Sequence, residues 1–417
     1  MTNGEHFDVV VVGGGAAGVA AAVGARRAGA SVRLVERYPF LGGAATNSSV
    51  LTFCGFFDQH REQVVAGVGD EVLQRLQRRD VYREMSFAWT GNHFVLLDLE
   101  TTKIVYDELV TAEGVDVRLH STLSDAVRDG QGRVTEVEVH GRGGKERLTA
   151  QAFVDASGDG ALLAAAGAGV RVAPVDERQT STLVCRFGGV AEDADLGREG
   201  MRDAVAAHAR ETGVPLARDQ GITVRLPVTG HVLSLLVDEQ LDALDAAAFT
   251  RDEMSARRQA WRYLEAFRKH LAGWEHAYLV ETGPQIGIRE SRHLRGRDEL
   301  TREDVLRARK RPEESIGRCG WPIEDHVAPG VTRYQPIDDK GWYDIPYGAI
   351  TSADTDNLWA AGRLTAADRD AFASVRVMGA AFATGHAAGV AAAQYAAGRP
   401  HDLAAVRAEL LRQGALV

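Results

Sequence analysis

The sequence predicts an α/β fold in which a parallel sheet with an attached β-ribbon forms one lobe and an α+β lobe is inserted into it. Three observations predict this fold. Residues 7–35 read as a strand, a glycine turn, an alanine-rich helix and a second strand. Residues 129–132 (DGQG) give a hairpin signal between two alternating segments. From about residue 172 the pattern changes to strands separated by polar helices, and 417 residues suffice for two lobes.

The first strand–turn–helix unit carries the most specific motif of the chain. Gly13, Gly15 and Gly18 fit G-x-G-x-x-G between the strand FDVVVV and the helix, and Glu36 ends the next strand. Gly13 allows the tight turn, Gly15 lets the backbone approach a pyrophosphate, and Gly18 lets the helix pack on the strand. The helix N-terminus attracts phosphates, and Glu36 can accept hydrogen bonds from both ribose hydroxyls. We therefore expect a Rossmann-like dinucleotide site, since a glycine turn without a ligand leaves Glu36 unexplained.

A second glycine motif lies in the loop after Glu36. The pair Gly42-Gly43 lets this loop lie flat against a flavin, which ordinary NAD sites do not require. On this motif the chain resembles the FAD-dependent oxidoreductases of the glutathione-reductase-like superfamily, and more narrowly the branch that includes the flavoprotein part of heterodisulfide reductase. The resemblance covers nearly the whole chain in five ordered blocks: VVVVGGGAAG, ERYPFLGGAAT, FVDASGDG, GIRESRHLRG, and the run from DIPYGAI through NLWAAGR to RVMGAAFATGHAAG.

The resemblance implies a bound FAD. It places the backbone near Val127 beside adenine and the turn at Asp159 beside the pyrophosphate, although Asp159 equally suits an Asx turn. A helix starting near Met378 would aim its N-terminus at the flavin and stabilise negative charge on the reduced ring, while its small residues also suit close helix packing. The residues expected to contact FAD are Gly13, Gly15, Ala16, Ala17, Gly18, Glu36, Arg37, Gly42, Gly43, Ala44, Ala45, Thr46, Val127, Ala156, Gly158, Asp159, Gly362, Arg363, Val377, Met378, Gly379 and Ala380.

Several local signals define further elements and the domain division. Thr250 with Glu253, and Thr301 with Asp304, read as helix capping boxes. Helices are expected at 70–79, 101–113 and 250–270, and strands at 115–120, 122–128, 133–140, 146–154, 181–188 and 222–236. We expect a discontinuous FAD-binding domain over 1–170 and 345–400, a substrate domain over 171–344, and a C-terminal helix within 401–417.

Composition narrows the possible partners. The net charge of −10 argues against binding to nucleic acid or anionic lipid, and the basic residues between 251 and 269 alternate with acids as on a solvated helix face. Neither a membrane span nor a signal peptide is expected. The cysteines, Cys54, Cys185 and Cys319, form no C-x-x-C, which suits the cytoplasm and argues against disulfides, iron–sulfur clusters and a metal site. Cys54 is either a redox-active or flavin-linked thiol or a buried apolar residue. The oligomeric state stays open.

The catalytic residues are expected among charged and hydrogen-bonding groups. Two or three arginines facing one pocket would imply a carboxylate or phosphate substrate. The GIRESRH segment is alternatively an ion-paired turn built on Glu290. Relatives typically carry histidines where this chain has Arg369 and Phe372, so the proton-transfer group is expected to have moved. The candidates are Arg289, Arg292, His293, Arg186, Tyr343 and Asp368, with His93, His231 and Arg369 considered beside them.

These features predict an FAD-dependent oxidoreductase that oxidises or dehydrogenates a small organic substrate. Hydride would pass to flavin N5, and a nearby His, Tyr or Asp would move the proton. The chain has no second dinucleotide fingerprint, so the electron acceptor is expected to be oxygen, a quinone-like compound or a partner protein. The alternatives are an electron-relay component of a redox complex and a non-catalytic flavin-binding or RNA-modifying accessory protein.

Overall fold

The computed structural model describes residues 5–87 and 90–417. In this part of the chain the strands are β1 Glu5–Val12, β2 Val32–Val35, β3 Thr52–Cys54, β4 Arg83–Ser86, β5 His93–Leu96, β6 Asp116–Arg118, β7 Thr122–Arg128, β8 Val134–Gly141, β9 Gly144–Asp155, β10 Val170–Val172, β11 Ser181–Gly188, β12 Ile222–Arg225, β13 Val232–Glu239, β14 Tyr278–Thr282, β15 Arg292–Leu294, β16 Ser315–Cys319, β17 Ile323–Ala328, β18 Val331–Gln335, β19 Tyr343–Pro346 and β20 Leu358–Ala360. The helices are α1 Ala16–Arg27, α2 Val68–Gln77, α3 Leu99–Ala112, α4 Ala161–Ala165, α5 Arg198–Thr212, α6 Ala246–His270, α7 Arg302–Leu306, α8 Arg369–Val375, α9 Met378–Ala396 and α10 Leu403–Arg412.

The main sheet joins a parallel core to an antiparallel ribbon through one long strand. Strands β6, β2, β1, β9 and β20 run parallel in that spatial order. The first half of β9 pairs antiparallel with β8, and β8 pairs with β7. Val9 and Val11 face the core that contains α1 and α9, whereas Val10 and Val12 face the core that contains the ribbon and α4. Because both faces are covered, β1 is apolar throughout its second half.

Helices α1 and α9 pack backbone against backbone. A Cβ on Gly18 would lie 1.7 Å from the Gly13 carbonyl oxygen. A Cβ on Gly385 would lie 2.1 Å from the Ala17 carbonyl oxygen, and one on Gly389 would lie 1.9 Å from that of Ala21. Only glycine fits at these three positions, since real Cβ atoms do not approach so closely. This packing brings the first turns of α1 and α9 to one edge of the sheet.

The inserted lobe is built on an antiparallel sheet with the order β12-β13-β11-β14. Helices α5 and α6 cover this sheet through a second apolar core that includes Phe187, Phe267 and Trp274. The predicted strand over 222–236 is wrong in one respect, because β12 and β13 are two strands of a hairpin that turns at 226–231. The predicted α/β fold, with a parallel sheet, a ribbon and an inserted α+β lobe, is confirmed.

The helix starts separate one correct capping prediction from one wrong one. Helix α6 begins four residues before Thr250, because the Asp245 carboxylate accepts the N–H groups of Ala247 and Ala248. Thr250 lies inside the helix and donates its hydroxyl to the Ala246 carbonyl oxygen. The Thr301–Asp304 capping box of α7 is confirmed in both directions. No helix of the described residues is long and apolar enough to cross a membrane.

Replacing Thr301 by alanine is expected to lower the free energy of unfolding by about 1 kcal/mol, because an N-cap side chain satisfies an otherwise unpaired helix N–H. The urea midpoint measures this loss. Thr250→Ala is the control, since Thr250 caps nothing, and an equal midpoint shift in both variants would contradict the assignment.

Buried His386 is expected to make the fold sensitive to acid. Its imidazole lies between α1 and α9 and contacts Gln413 Oε1 at 2.7 Å. Burial lowers the pKa of His386 to about 4. Between pH 6.5 and 4 the unfolded chain therefore binds a proton that the folded chain does not, and stability falls by about 3 kcal/mol as the pH falls. Unfolding free energies across this range should show a smaller loss in His386→Asn. An identical slope in both proteins would contradict this role.

Candidate functional site

Two adjoining cavities lie where the parallel strands end. The first has a volume of about 170 Å³ and is lined by Val12, Val35, Ala156 and Ala361, which end or follow β1, β2, β9 and β20. Ligands of open α/β sheets bind at this carboxyl edge. The predicted cofactor residues that line the first cavity are Gly13, Gly15, Ala16, Ala17, Glu36, Arg37, Gly42, Gly43, Ala44, Ala156, Gly158, Gly362, Arg363 and Met378.

Glu36 is held at one end of the first cavity by the backbone around it. Its Oε2 accepts the Gly14 N–H at 2.6 Å, and its Oε1 accepts the Tyr38 N–H at 2.9 Å. Burial raises the pKa of Glu36, and these two hydrogen bonds oppose that shift. Each carboxylate oxygen keeps a second lone-pair direction, so Glu36 can still accept hydrogen bonds from a ribose diol.

Two helix N-termini face the middle of the first cavity. Helices α1 and α9 follow Gly15 and Val377, and neither residue makes a side-chain cap. A Cβ on Gly15 would project into open space, with only the Gly43 Cα within 4 Å, and would occupy part of the cradle between the two glycine loops. Arg37 and Arg363 add positive charge and share Asp159 as their partner, at 3.1 and 3.4 Å. This set of donors fits a pyrophosphate between two nucleosides.

The second cavity is larger and opens onto the first. It has a volume of about 490 Å³. Its wall comes from the loop after Glu36, from β17 and β18, and from strands of the inserted lobe. The residues common to both cavities are Ala44, Ile288, Arg363, Arg376 and Met378.

Two arginines of the second cavity bind only neutral acceptors. Arg289 Nη1 donates to the Thr180 carbonyl oxygen at 2.5 Å and to Thr182 Oγ1 at 2.8 Å. Arg376 donates to Gln179 Oε1 and to the Glu324 backbone carbonyl oxygen, both at 3.0 Å. Among the described residues, no carboxylate lies within 4 Å of either guanidinium. Burial, followed by the charge of Arg376, lowers the pKa of Arg289 to about 10, so both arginines are charged at neutral pH.

A hydrogen-bonded acid, tyrosine and histidine form the opposite wall. The Tyr334 hydroxyl donates to Glu324 Oε1 at 2.6 Å, and Trp321 Nε1 donates to Oε2 at 2.9 Å. His326 Nε2 lies 3.4 Å from Glu324 Oε1. Burial raises the pKa of Glu324, but its contact with His326 and the charge of Arg376 outweigh burial and hold it below its usual range. Burial and the charge of Arg289 lower the pKa of His326 to about 3, so this imidazole is neutral at neutral pH.

Comparison with known proteins identifies the group that the first cavity fits. A family model described as FAD dependent oxidoreductase matches residues 8–413. The chain belongs to this family. It is therefore an FAD-dependent enzyme, and the residues of the first cavity suit FAD. The family match does not distinguish the glutathione-reductase-like branch.

Solved structures of flavoenzymes share the fold at low sequence identity. A geranylgeranyl bacteriochlorophyll reductase-like protein from Thermoplasma acidophilum is 14% identical, with a TM-score of 0.51 over 99% of this chain and 85% of that one. The myxobacterial chondrochloren halogenase is 16% identical, with a TM-score of 0.47 over 98% of this chain and 79% of the halogenase. The flavin-dependent brominase Bmp2 is 14% identical, with a TM-score of 0.46 over 98% and 84% of the two chains. A search of curated protein sequences found no match.

Some residues predicted to contact FAD lie outside the wall of the first cavity. Gly18 and Gly379 allow close packing, and Thr46 donates to the Leu41 carbonyl oxygen at 2.6 Å, which holds its loop. Val127 is exposed on β7, and the residues at the start of that strand, Ser121, Thr122 and Leu123, line the cavity instead. Asp159 bridges two arginines, and Val377 lines the second cavity. The remaining predicted contacts outside the wall are Ala45 and Ala380.

Of the six catalytic candidates, only Arg289 lines the second cavity of this FAD oxidoreductase. Arg292 donates to the Asp159 carbonyl oxygen, and His293 pairs with Glu290 at 2.9 Å. Arg186 pairs with Glu281 at 2.9 Å. The Tyr343 hydroxyl contacts Ser374 Oγ at 2.7 Å, and Asp368 caps α8.

The other candidates also have partners outside both cavities: His93 bonds Ser86 and Glu84, His231 lies near Arg186 and Glu281, and Arg369 lies 3.6 Å from Asp325.

Sequence reasoning missed four polar residues of the second cavity and included Arg376 only within a longer motif. Glu324 and His326 alternate along β17, so they share one face of that strand, and this spacing was the available signal. Tyr334 and Arg218 reach the cavity from β18 and from the segment before β12. No local pattern marked them, because their approach depends on the packing of the inserted lobe.

Proposed function

We propose that this FAD-dependent enzyme oxidises or dehydrogenates a small organic substrate held in the second cavity. The observation that carries the proposal is the shared wall of the two cavities, at Ala44, Ile288 and Met378. FAD, when bound, supplies the hydride acceptor at its N5 atom. A substrate in the second cavity would be enclosed by protein on the side away from the cofactor, where side chains can orient it and exclude water.

We propose that Tyr334 and Glu324 move the proton that accompanies hydride loss. The Tyr334 hydroxyl already donates its proton to Glu324 Oε1, so its oxygen can accept a proton from a substrate X–H group while its own proton passes to the carboxylate. The substrate then loses one hydride and one proton, and Glu324 ends protonated. His326 is a poor base here, since Arg218 donates to its Nδ1 at 3.1 Å.

Three finer assignments stay with this proposal. The five sequence blocks favour the branch that includes the flavoprotein part of heterodisulfide reductase. The separate apolar core of α5 and α6 supports a substrate domain near residues 171–344 inserted into an FAD-binding domain over 1–170 and 345–400. The three free thiols favour the cytoplasm as the compartment. The acceptor that reoxidises the enzyme is proposed to be oxygen, a quinone-like compound or a partner protein.

An anaerobic screen tests the proposed function. The purified holoenzyme is mixed with small organic alcohols, amines, and acids without oxygen, and the visible flavin absorbance is followed. Loss of absorbance with at least one compound, and its recovery on admitting oxygen or a quinone, is the expected result. If no small molecule reduces a flavin that dithionite does reduce, the enzyme is better described as an electron-relay protein.

A further inference from the structure

We infer that the second cavity is built for a monocarboxylate with an apolar body, held by Arg289 and Arg376. This inference rests on the proposed function for its meaning as a substrate site, but the binding site itself can be tested separately. It replaces the open choice between a carboxylate and a phosphate by a single class of ligand.

The two guanidiniums are the first observation. Arg289 and Arg376 line one cavity, and each binds only uncharged oxygen atoms of the protein. Two like charges facing one space repel each other, and burial adds to that cost. A bound oxyanion would offset both effects. The planar, forked geometry of guanidinium groups suits a carboxylate.

The charge balance of the wall favours a single negative charge. Arg218 is balanced by buried Asp238, with Nε and Oδ2 2.5 Å apart, and Arg363 is balanced by Asp159. Arg198 is exposed at the solvent side of the wall, where water screens its charge.

Glu324 is the one acid among the described residues of the wall, and it offsets one of the two uncompensated arginines. One positive charge therefore remains, which matches a monocarboxylate better than a phosphate dianion.

The rest of the wall indicates the body of the ligand. Side chains from the inserted lobe and from the loop after Glu36 are aliphatic or aromatic over most of the remaining surface. They are Val50, Val184, Leu196, Val224, Leu235 and Trp321. Such a surface favours an aryl or alkyl group by removing it from water. The charged and apolar parts together define an amphipathic organic acid.

Binding to the oxidised holoenzyme tests the inference without turnover. The probes are benzoate and 3-phenylpropanoate, with benzamide, 3-phenylpropanamide and phenyl phosphate for comparison. Calorimetry and the difference spectrum of the bound flavin report binding. Each acid is expected to bind at least tenfold more tightly than its amide and than phenyl phosphate. Equal binding of acid and amide, tighter binding of phenyl phosphate, or no binding of either acid would overturn the inference.

Matched arginine variants locate the site. Arg289→Gln and Arg376→Gln are each expected to weaken binding of the acids at least tenfold, with a smaller loss in Arg289→Lys and Arg376→Lys. Arg186→Gln is the control, since Arg186 lies in β11 outside both cavities and should leave the affinity unchanged. Unchanged affinity in both Gln variants, each with one FAD per chain, would overturn the assignment. If a Gln variant fails to hold FAD, the Lys variant and the acid–amide ratio of the unmodified enzyme decide.

The failure of this inference and that of the proposed function are distinguishable. Arginine-dependent binding of the acids, with no flavin reduction by any organic compound, would leave the carboxylate site standing and remove its role in oxidation. Reduction of the flavin by uncharged substrates, with no effect of the arginine variants, would leave the oxidase or dehydrogenase standing and remove the carboxylate site.

Discussion

Replacing Gly18 by alanine is expected to weaken FAD binding by about a hundredfold, which corresponds to about 3 kcal/mol. The added Cβ would lie 1.7 Å from the Gly13 carbonyl oxygen, so the first turn of α1 would have to move away from the glycine loop. That movement misplaces both the backbone N–H groups of the helix and the turn at Gly13. Fluorescence titration of the apoprotein with FAD measures the affinity.

Gly130→Ala is the matched control for this experiment. Gly130 lies in the turn of the ribbon, where an added Cβ meets nothing within 4 Å and the backbone has an ordinary φ. This variant should bind FAD as the unmodified protein does. Full FAD content and unchanged affinity in Gly18→Ala would contradict the assignment of the first cavity to FAD.

Replacing Tyr334 by phenylalanine is expected to slow substrate-dependent flavin reduction by about 10² to 10⁴-fold, the usual contribution of a positioned proton-transfer group. The variant keeps the ring but loses the hydroxyl that donates to Glu324. Glu324→Gln is expected to slow the reaction similarly, because an amide oxygen can accept the tyrosine hydrogen bond but cannot hold the proton as a carboxylate does. Anaerobic stopped-flow absorbance with the best substrate from the screen measures the rate.

A second tyrosine–glutamate pair provides the control for Tyr334. The Tyr82 hydroxyl donates to Glu84 Oε1 at 2.6 Å, outside both cavities. Tyr82→Phe therefore removes the same kind of hydrogen bond and should leave the reduction rate unchanged. A rate in Tyr334→Phe within threefold of the unmodified enzyme would assign the proton transfer to another group.

The cofactor side of the molecule could be predicted because its signals are local. The glycines of the first turn, the Gly-Gly loop and Glu36 all lie within about thirty residues, and the backbone itself dictates where they meet. The error at Val127 has a physical reason, since the ribbon contacts the cavity at its first residues and then leaves it. The Thr250 error is also local, because Asp245 offers an earlier and better cap for the same helix.

The substrate side was only partly predictable because its residues meet through tertiary packing. In the GIRESRH block, Arg289 faces the second cavity while Glu290 turns inward and pairs with His293. The alternative of an ion-paired turn identified the acid but not its partner, since neither arginine of the block pairs with Glu290. Glu324, His326 and Tyr334 lie outside every sequence block that carried the resemblance, and only the folded chain brings them beside Arg289 and Arg376.

The environment of Cys54 favours a dissociable cofactor. Its thiol lines the second cavity, and burial together with the charge of Glu324 raises its pKa to about 12. A thiol that stays protonated is a weak nucleophile. The remaining cysteines, Cys185 and Cys319, are buried. We therefore predict that FAD is bound without a covalent link.

The visible spectrum of the purified protein, taken before and after denaturation and filtration, tests the central claim most directly. A flavin spectrum with one equivalent of FAD per chain in the filtrate is the predicted result. Colour that stays with the denatured chain would contradict the non-covalent link and point to Cys54. A protein that holds no flavin, even after incubation with FAD, would contradict the assignment of the first cavity and with it the proposed function.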